Sequence, residues 1–462
     1  MKPKQLTGIG LAAMILIGMM FIPATEDLTQ AGIRTIGMLI AFLVMLITNP
    51  FRLFHTGLFF LGLMPVLGVA PTFGAALSGL GNPVILFVIA SFGIAAAFTT
   101  LPLSKRILAA LLRRFGKDIR HILLAIMTSG FLISGFVSSV PTCAVFMVIA
   151  LNFLELYDDP EEKKRSARAF MIGVPVSIMI GAIMTPIGGA ISLIALDRLY
   201  AFTGTTIPFI QWMVMGIPVA VVTLPLAWWL IMKIHKPVEV SEEKVEKFIK
   251  SLDIPVRITR PEKIVLAVTC IMMALWIISS WVKGINVMVV AILGVCVLCI
   301  PQLKTLQFET FVKNIGWDPV FLAAAVFAMG DLMVSNGVSD WIISILPALD
   351  VSTPVFIGFT AVLLFTLLLV IPIGPSLIII MAAPLIALSI SAGVSPAIVM
   401  LAAAVCCNCS FLLPLDTVAL LTYSKGHYSI KDMFISSLPV QIFLVVILAL
   451  WLTFMSGVFR IG

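Results

Sequence analysis

The chain has 462 residues, 61% of them hydrophobic and 11% charged, with a mean hydropathy of +1.17 and a formal net charge of +7. A soluble domain carries roughly 25% charged residues, so this composition excludes one and describes an all-α polytopic membrane protein, surrounded by membrane lipid. In a soluble protein the positive charge would suggest nucleic acid; here the placement of Lys and Arg reports topology instead, and no nucleic-acid partner is implied.

A helix needs about 20 apolar residues to cross the hydrocarbon. Residues 6–23 follow Lys2 and Lys4 as a signal peptide would, but no small-residue cleavage site closes them, and they read as a retained first helix. Spans at 31–49, 52–70 and 83–103 come next. Residues 105–117 put Arg106, Arg113, Arg114 and Lys117 on one helical face and Leu108, Leu111, Leu112 and Phe115 on another, as for a helix lying at the interface. The apolar block 119–156 is broken in its middle by "SSVPT" (138–142). The span 169–195 contains "TPIGGAIS" (185–192), and 207–233 is an unbroken span.

The charged stretch "SEEKVEKFIKSLD" (241–253) reads as a helix of the linker, with Ser241 as N-cap, two acids in the first turn, and Val245, Phe248, Ile249 and Leu252 on one side. Spans at 263–282, 285–300 and 318–346 follow. A second broken block, 353–391, carries "IGPS" (373–376); the span 396–423 carries "LPLDTVALLTY" (413–423), and 433–458 is the last. The expectation is about eleven transmembrane helices plus two re-entrant hairpins. Backbone broken at membrane depth must be buried in protein or line a cavity, which suits hairpin tips and unwound helix centres. With the N-terminus cytoplasmic and both hairpins returning to their own side, 25 of the 29 Lys and Arg fall on the cytoplasmic side; Arg34, Arg198, Lys283 and Arg460 fall outside. A merely kinked single span at either block would invert every later loop and spoil that asymmetry. The expected location is the cytoplasmic (cell) membrane.

Four pairs of motifs recur in order. Pro83 matches Pro319 at an offset of 236, Pro141 matches Pro375 at 234, Pro186 matches Pro414 at 228, and Pro218 matches Pro439 at 221. Slow drift is what duplication with small deletions leaves. The organisation read from this is a first helix in 1–30, a first repeat in 31–235, a cytoplasmic linker in 236–262 and a second repeat in 263–462. Each repeat has five spans, so the second is inverted relative to the first. Inverted repeats with matching interruptions are a signature of secondary transporters.

The motifs "FVSSVPT" (136–142), "TPIG" (185–188), "FIQWMVMGIP" (209–218) and "FLLPLDTV" (411–418) together resemble the divalent-anion/sodium symporters, the dicarboxylate and sulfate cotransporters, over nearly the whole chain. The resemblance implies a homodimer whose transport part moves as an elevator against a scaffold part. Members of that family usually carry Ser-Asn-Thr at each hairpin tip, where the Asn and hydroxyls help hold sodium and the substrate carboxylate. Here the first tip reads Ser138-Ser139-Val140 in one register or Val140-Pro141-Thr142 in another, and the second reads Gly374-Pro375-Ser376, so both asparagines are absent. The "TPPN" usual after the unwound spans is replaced by Gly189-Ala190-Ile191-Ser192 and by Thr417-Val418-Ala419-Leu420. The expected substrate ligands are Ser138, Ser139, Thr142, Thr185, Pro186, Gly188, Ser192, Pro375, Ser376 and Thr417. The expected cation ligands are Ser138, Gly188, Gly374, Asn408 and Asp416, with sodium the only metal.

No Lys or Arg lies in the core of an assigned span. Helix N-termini and hydroxyls can hold an anion, but the balancing charge must be brought in. Against an inside-negative potential of about 100 mV, each entering negative charge costs about 2.3 kcal/mol, so a dianion costs roughly 4.6 kcal/mol. Cotransported cations, sodium or protons, supply the compensation. Asp416 and Asp331 are carboxylates within spans and are functional candidates by that fact; Asn408 and Ser410 lie beside the second unwound stretch, and Asp197 and Arg198 read as surface charge at a span's outer end. The seven cysteines, with Cys296 and Cys299 in a CxxC, read as small buried residues, not as a metal or redox site. His55, His121, His235 and His427 fall near loop ends, which disfavours a buried histidine relay. No nucleophile with a base, and no cofactor, is indicated, so the chain is not expected to be an enzyme. The expected function is cation-coupled, foremost sodium-coupled, symport of a small divalent anion such as a C4-dicarboxylate. The alternative is a cation/proton exchanger, or a proton-coupled anion transporter, working through Asp416.

Overall fold

Short polar side chains and prolines mark many of the helix starts, because a capping oxygen meets an orphan N–H and proline lacks one. Asn82 Oδ1 accepts from the Val84 N–H at 2.9 Å with Pro83 next in the chain, Asp118 and Asp159 cap in the same way, and Thr259 forms a reciprocal capping box with Glu262. The computed structural model describes every residue except 1–2, 26, 49, 116–117, 253, 256, 283, 346–350, 371–372 and 460–462. Lys2, Lys117, Asp253, Lys283 and Arg460 therefore lie outside the described residues. Among those described there are helices and no strand.

The helices run α1 (Pro3–Met20), α2 (Gln30–Thr48), α3 (Leu53–Val66), α4 (Phe73–Ala76), α5 (Pro83–Thr100) and α6 (Leu103–Phe115). Next come α7 (Ile119–Ser134), α8 (Ser139–Leu154), α9 (Pro160–Ala182), α10 (Ala190–Thr203), α11 (Phe209–His235) and α12 (Glu242–Ser251). The second half runs α13 (Arg260–Ile278), α14 (Val287–Leu298), α15 (Phe308–Asn314), α16 (Trp317–Ser335), α17 (Val338–Ile345), α18 (Thr353–Val370), α19 (Gly374–Ser391), α20 (Pro396–Asn408), α21 (Thr417–Tyr423) and α22 (Ile430–Phe459). Seven of the described helices are long and apolar enough to cross a membrane, and seven shorter ones are apolar as well. The protein is an all-helical, multi-span membrane protein.

The four motif pairs sit at matching places. Pro83 and Pro319 stand in the first turns of α5 and α16, and Pro141 and Pro375 in the first turns of α8 and α19. Pro186 and Pro414 lie in the breaks α9–α10 and α20–α21, while Pro218 and Pro439 are inside α11 and α22. The two halves interlock. Helix α10 packs on α19 and α20, α21 packs on α8 and α9, and α11 packs on α22; separately, α3 packs on α16 and α5 on α14. Contacts of α5 with α8 and α10, and of α16 with α10 and α19, join these two groups.

Three expectations about charged and polar residues change. Arg106 does not lie on a solvated face: it is paired with the fully buried carboxylate of Glu262, which ties α6 to α13. Ser241 occupies the N-cap position of α12 without a side-chain cap, although Val245, Phe248 and Leu252 are buried as the helical pattern demands. Cys143, Cys406, Cys407 and Cys409 are buried, but Cys270 and Cys296 are exposed and Cys299 is half-buried, so burial does not account for the CxxC.

Candidate functional site

Three helices begin at one place. Helix α8 starts after the extended Ser138, α10 after the extended Gly189, and α19 after the extended Ile373, and none of these three residues caps its helix with a side chain. The leading N–H groups of each are open, and each helix end carries a partial positive charge. Contacts bring the starts together: Ser139 Oγ donates to the Gly188 carbonyl at 3.2 Å, and a methyl group on Gly374 would touch Ile191 Cδ1 at 2.7 Å and the Cys407 carbonyl at 2.9 Å. Asn408 closes the group. Its Nδ2 donates to Ser192 Oγ at 3.2 Å and to the Ala404 carbonyl at 2.9 Å, while its Oδ1 lies against the Cα of Gly189.

The break between α9 and α10 is bound to the break between α7 and α8. Thr185 Oγ1 donates to the Gly135 carbonyl, and Ser134 Oγ donates to the Ile178 carbonyl at 2.7 Å. At Gly181 helices α9 and α7 pass so closely that a side chain would lie on the Phe131 carbonyl and Ser134 Oγ. Gly181→Val is expected to cost about 2 kcal/mol, as overpacking does, measured as a lower melting temperature in detergent. A variant melting with the wild type would mean that the helices approach less closely than this.

The expected ligands divide accordingly. Ser138, Ser139, Gly188, Ser192, Gly374 and Asn408 are drawn to the common point, with Pro375 and Ser376 in the first turn of α19. Ser376 is fully buried, and its hydroxyl has no partner among the described residues. Thr142 Oγ1 donates to the Ser138 carbonyl at 3.0 Å and Thr185 holds Gly135, so both hydroxyls are engaged within the scaffolding of the breaks. Pro186 lies within the break, where it prevents helix. Thr417 is exposed. Asp416 stands apart from these: it is the N-cap of α21, accepting from the Val418 N–H at 2.9 Å, so that this helix start, unlike those of α8, α10 and α19, has its own carboxylate.

Sequence reading missed one charged cluster. Arg198, expected at the surface, is 1% exposed. Its guanidinium donates to Asp197 at 2.6 Å and to Asp331 of α16 at 3.2 Å and lies 5.1 Å from the Phe327 ring centroid. Asn82 Nδ2 donates to the other Asp197 oxygen at 3.0 Å, so α5, α10 and α16 meet here. Asp331 is thus the partner of a fixed cation. The available signal was an Asp-Arg pair amid apolar residues at a helical span. Among the described residues no cluster of His, Cys, Asp and Glu could hold a metal ion.

Residues 4–458 match the family model described as the sodium:sulfate symporter transmembrane region. The chain is similar to the sodium-dependent dicarboxylate transporter SdcS of Staphylococcus saprophyticus, 23% identical over 478 residues that cover 98% of this chain and 91% of that protein. It is 22% identical to SdcS of Staphylococcus aureus over 455 residues, covering 93% of this chain and 87% of that one. In fold it is similar to MtrF of Neisseria gonorrhoeae, from a class described as antimetabolite efflux pumps, with a TM-score of 0.61, 11% identity and coverage of 98% and 95%. It is likewise similar to the YdaH transporter of Alcanivorax borkumensis, with a TM-score of 0.55, 15% identity and coverage of 83% and 86%. At those identities the likeness to the two solved structures is one of fold.

Proposed function

We propose, from the premise that this chain belongs to the sodium:sulfate symporter family, that it is a secondary active transporter carrying a small divalent anion, of which a C4-dicarboxylate is the first candidate, in symport with sodium. The observation that carries this reading is the convergence of three uncapped helix starts, α8, α10 and α19, beside the buried, unpartnered hydroxyl of Ser376. Open N–H groups and a free hydroxyl favour an anion, and no lysine or arginine is needed to hold it. Partial charges do not balance a dianion, so cations must travel with it. Ser138, Ser139, Ser192 and Ser376 would bind the anion together with the backbone of Gly188, Gly189 and Gly374. In the same reading the paired helices α7–α8 and α18–α19 are re-entrant hairpins of two inverted repeats. The group built on α7–α11 and α18–α22 moves as an elevator within a homodimer whose N-termini are cytoplasmic.

A second reading is supported by Asp416, a carboxylate in the unwound stretch before α21: a proton-coupled anion transporter or a cation/proton exchanger. Uptake of labelled succinate, malate, citrate and sulfate into proteoliposomes, with a sodium gradient and separately with a proton gradient, tests both. Sodium-driven accumulation supports symport, proton-driven accumulation supports the second reading, and accumulation of none of the four anions leaves exchange or an anion outside this set. Under symport, Ser376→Ala is expected to raise the apparent KM of the anion roughly tenfold, the loss of one hydrogen bond to a charged group. Melting should be unchanged or slightly raised, since an unpartnered hydroxyl is removed. An unaltered KM would make Ser376 structural.

A further inference from the structure

We propose that Asp318 and Lys425 form an ion pair in the end state of transport opposite to the one described, where it holds the moving group against the other. This deepens the reading of the chain as an elevator built of two inverted repeats and rests on it. Two such repeats take unlike conformations in one end state and exchange them in the other, so a contact made within one repeat here has its counterpart within the other repeat there. In this structure the first repeat makes the contact: Asn82 Nδ2, at the start of α5, donates to Asp197 of α10 at 3.0 Å.

The motif offsets locate the counterpart. Asn82-Pro83-Val84 corresponds to Asp318-Pro319-Val320 at 236, which puts Asp318 at the start of α16 as Asn82 stands at the start of α5. The breaks correspond at 228, Pro186 to Pro414, and that offset carries Asp197 onto Lys425. Helix α21 has 7 residues where α10 has 14, so Lys425 stands just past the end of α21, at the level that Asp197 holds in α10. An amide facing an acid has become an acid facing a base. The Arg198–Asp331 bond has no such counterpart, its matching positions being Gly426 and Ala95.

Both side chains are uncommitted in this conformer. Asp318 and Lys425 are exposed, and neither is in an ion pair among the described residues. One Asp318 oxygen accepts from the Phe54 N–H at 3.1 Å, which leaves the other to receive an ammonium group. Arg52 precedes that N–H at the start of α3, but α3 and α16 pack together in one group, so its place relative to Asp318 is the same in both end states. Glu155, whose charge acts on His427 two residues beyond Lys425, is already bonded to Lys163 at 2.8 Å.

The test uses the full-length protein in proteoliposomes, with Asp318→Cys and Lys425→Cys combined and thiols oxidised by copper phenanthroline during sodium-driven succinate uptake; protein with its native cysteines alone is the control. A disulfide needs the two Cα atoms within about 7 Å, so it reports the approach directly. It is expected to form, to stop uptake, and to release it on reduction. Uptake by the paired variant with no disulfide overturns the ion pair and leaves the elevator standing. A disulfide that leaves uptake intact means that the two groups do not move apart, and overturns the elevator and the pair together. Wild-type protein that moves no succinate under a sodium gradient counts against the symport reading, while the disulfide, which requires only the movement, still decides the pair. Charge reversal is read alongside: Asp318→Lys and Lys425→Asp should each lower the maximal uptake rate about threefold, within the range of an exposed pair, and the two together should restore most of it. Melting temperatures should stay at the wild-type value, since the contact is absent from this conformer. Single losses that multiply in the double variant overturn the pair.

Discussion

Arg198→Leu is expected to be among the most damaging single substitutions in this chain, costing about 3 kcal/mol, with a matching loss of folded protein and of transport. The guanidinium is buried, and its removal strands the Asp197 carboxylate, whose side chain is only 17% exposed, without its charged partner. Breaking a buried pair costs about 3–5 kcal/mol; the lower end applies because Asp331 is 45% exposed and water can take over its solvation. By the same reasoning Asp331→Asn should cost under about 1 kcal/mol, as an exposed pair does. The order expected is therefore Arg198→Leu well above Asp331→Asn, measured by melting in detergent. Equal effects, or an Arg198→Leu protein that melts with the wild type, would refute the burial argument. Gly330 belongs to the same design, since any side chain there would collide with the guanidinium. If the elevator reading holds, this cluster joins α10 of the moving group to α5 and α16 of the other, and its ion pairs are remade in each cycle.

The second large effect is expected at Arg106. The Glu262 side chain has no exposed surface; it accepts from Arg106 Nε at 3.0 Å and from its terminal nitrogen at 3.2 Å. The Thr259 N–H and hydroxyl add bonds to Glu262 of 2.7 and 2.8 Å. Arg106 also donates to the carbonyls of Pro255 at 3.0 Å and Arg257 at 3.3 Å, so one side chain fastens the segment before α13 to α6. Arg106→Ala leaves a buried carboxylate with neutral donors alone and should cost about 3 kcal/mol. Arg106→Lys should recover little, because a point charge cannot reproduce the fork. Combining Arg106→Met with Glu262→Leu should cost less than Arg106→Ala alone, since no unpaired charge remains. A double variant as unstable as the sum of its parts would show that packing, not charge, is what the pair supplies.

Much of the fold was legible because it is written in contiguous residues. Apolar runs long enough for spans, prolines that cannot sit in a helix interior without breaking its ladder, and glycine pairs such as Gly188-Gly189 act through sterics and solvation within a few residues. The breaks at 135–138 and 183–189 fall two or three residues ahead of the expected stretches 138–142 and 185–192, because Pro141 and Ser192 are tolerated in the first turn of a helix, and the motif pairs land at matching places. The candidate site was legible to the same depth: that Ser138, Gly188, Ser192 and Gly374 stand at breaks follows from local sequence. Their convergence does not, because it depends on α10 packing against α19 and α20. Which hydroxyls are committed was not legible either. Thr185 and Ser376 are both hydroxyl residues beside a proline, yet one binds the Gly135 carbonyl and the other has no partner among the described residues.

By itself, then, the sequence determined that this is a multi-span helical membrane protein and the family to which it belongs, and it placed the main breaks to within a few residues, although the expected span 318–346 is divided at Asn336-Gly337, where Gly337 is left-handed, into α16 and α17. Only the tertiary structure decided the fate of the buried polar groups. Arg198 finds Asp331 across 133 residues, Arg106 finds Glu262 across 156, and Gln441 of α22 is buried with neither end of its amide partnered among the described residues. The physical reason is the same in each case. A helix start or break is settled by the conformational limits of neighbouring residues, whereas a charge or amide in a low-dielectric interior is settled by whichever distant group the packing brings within about 3 Å.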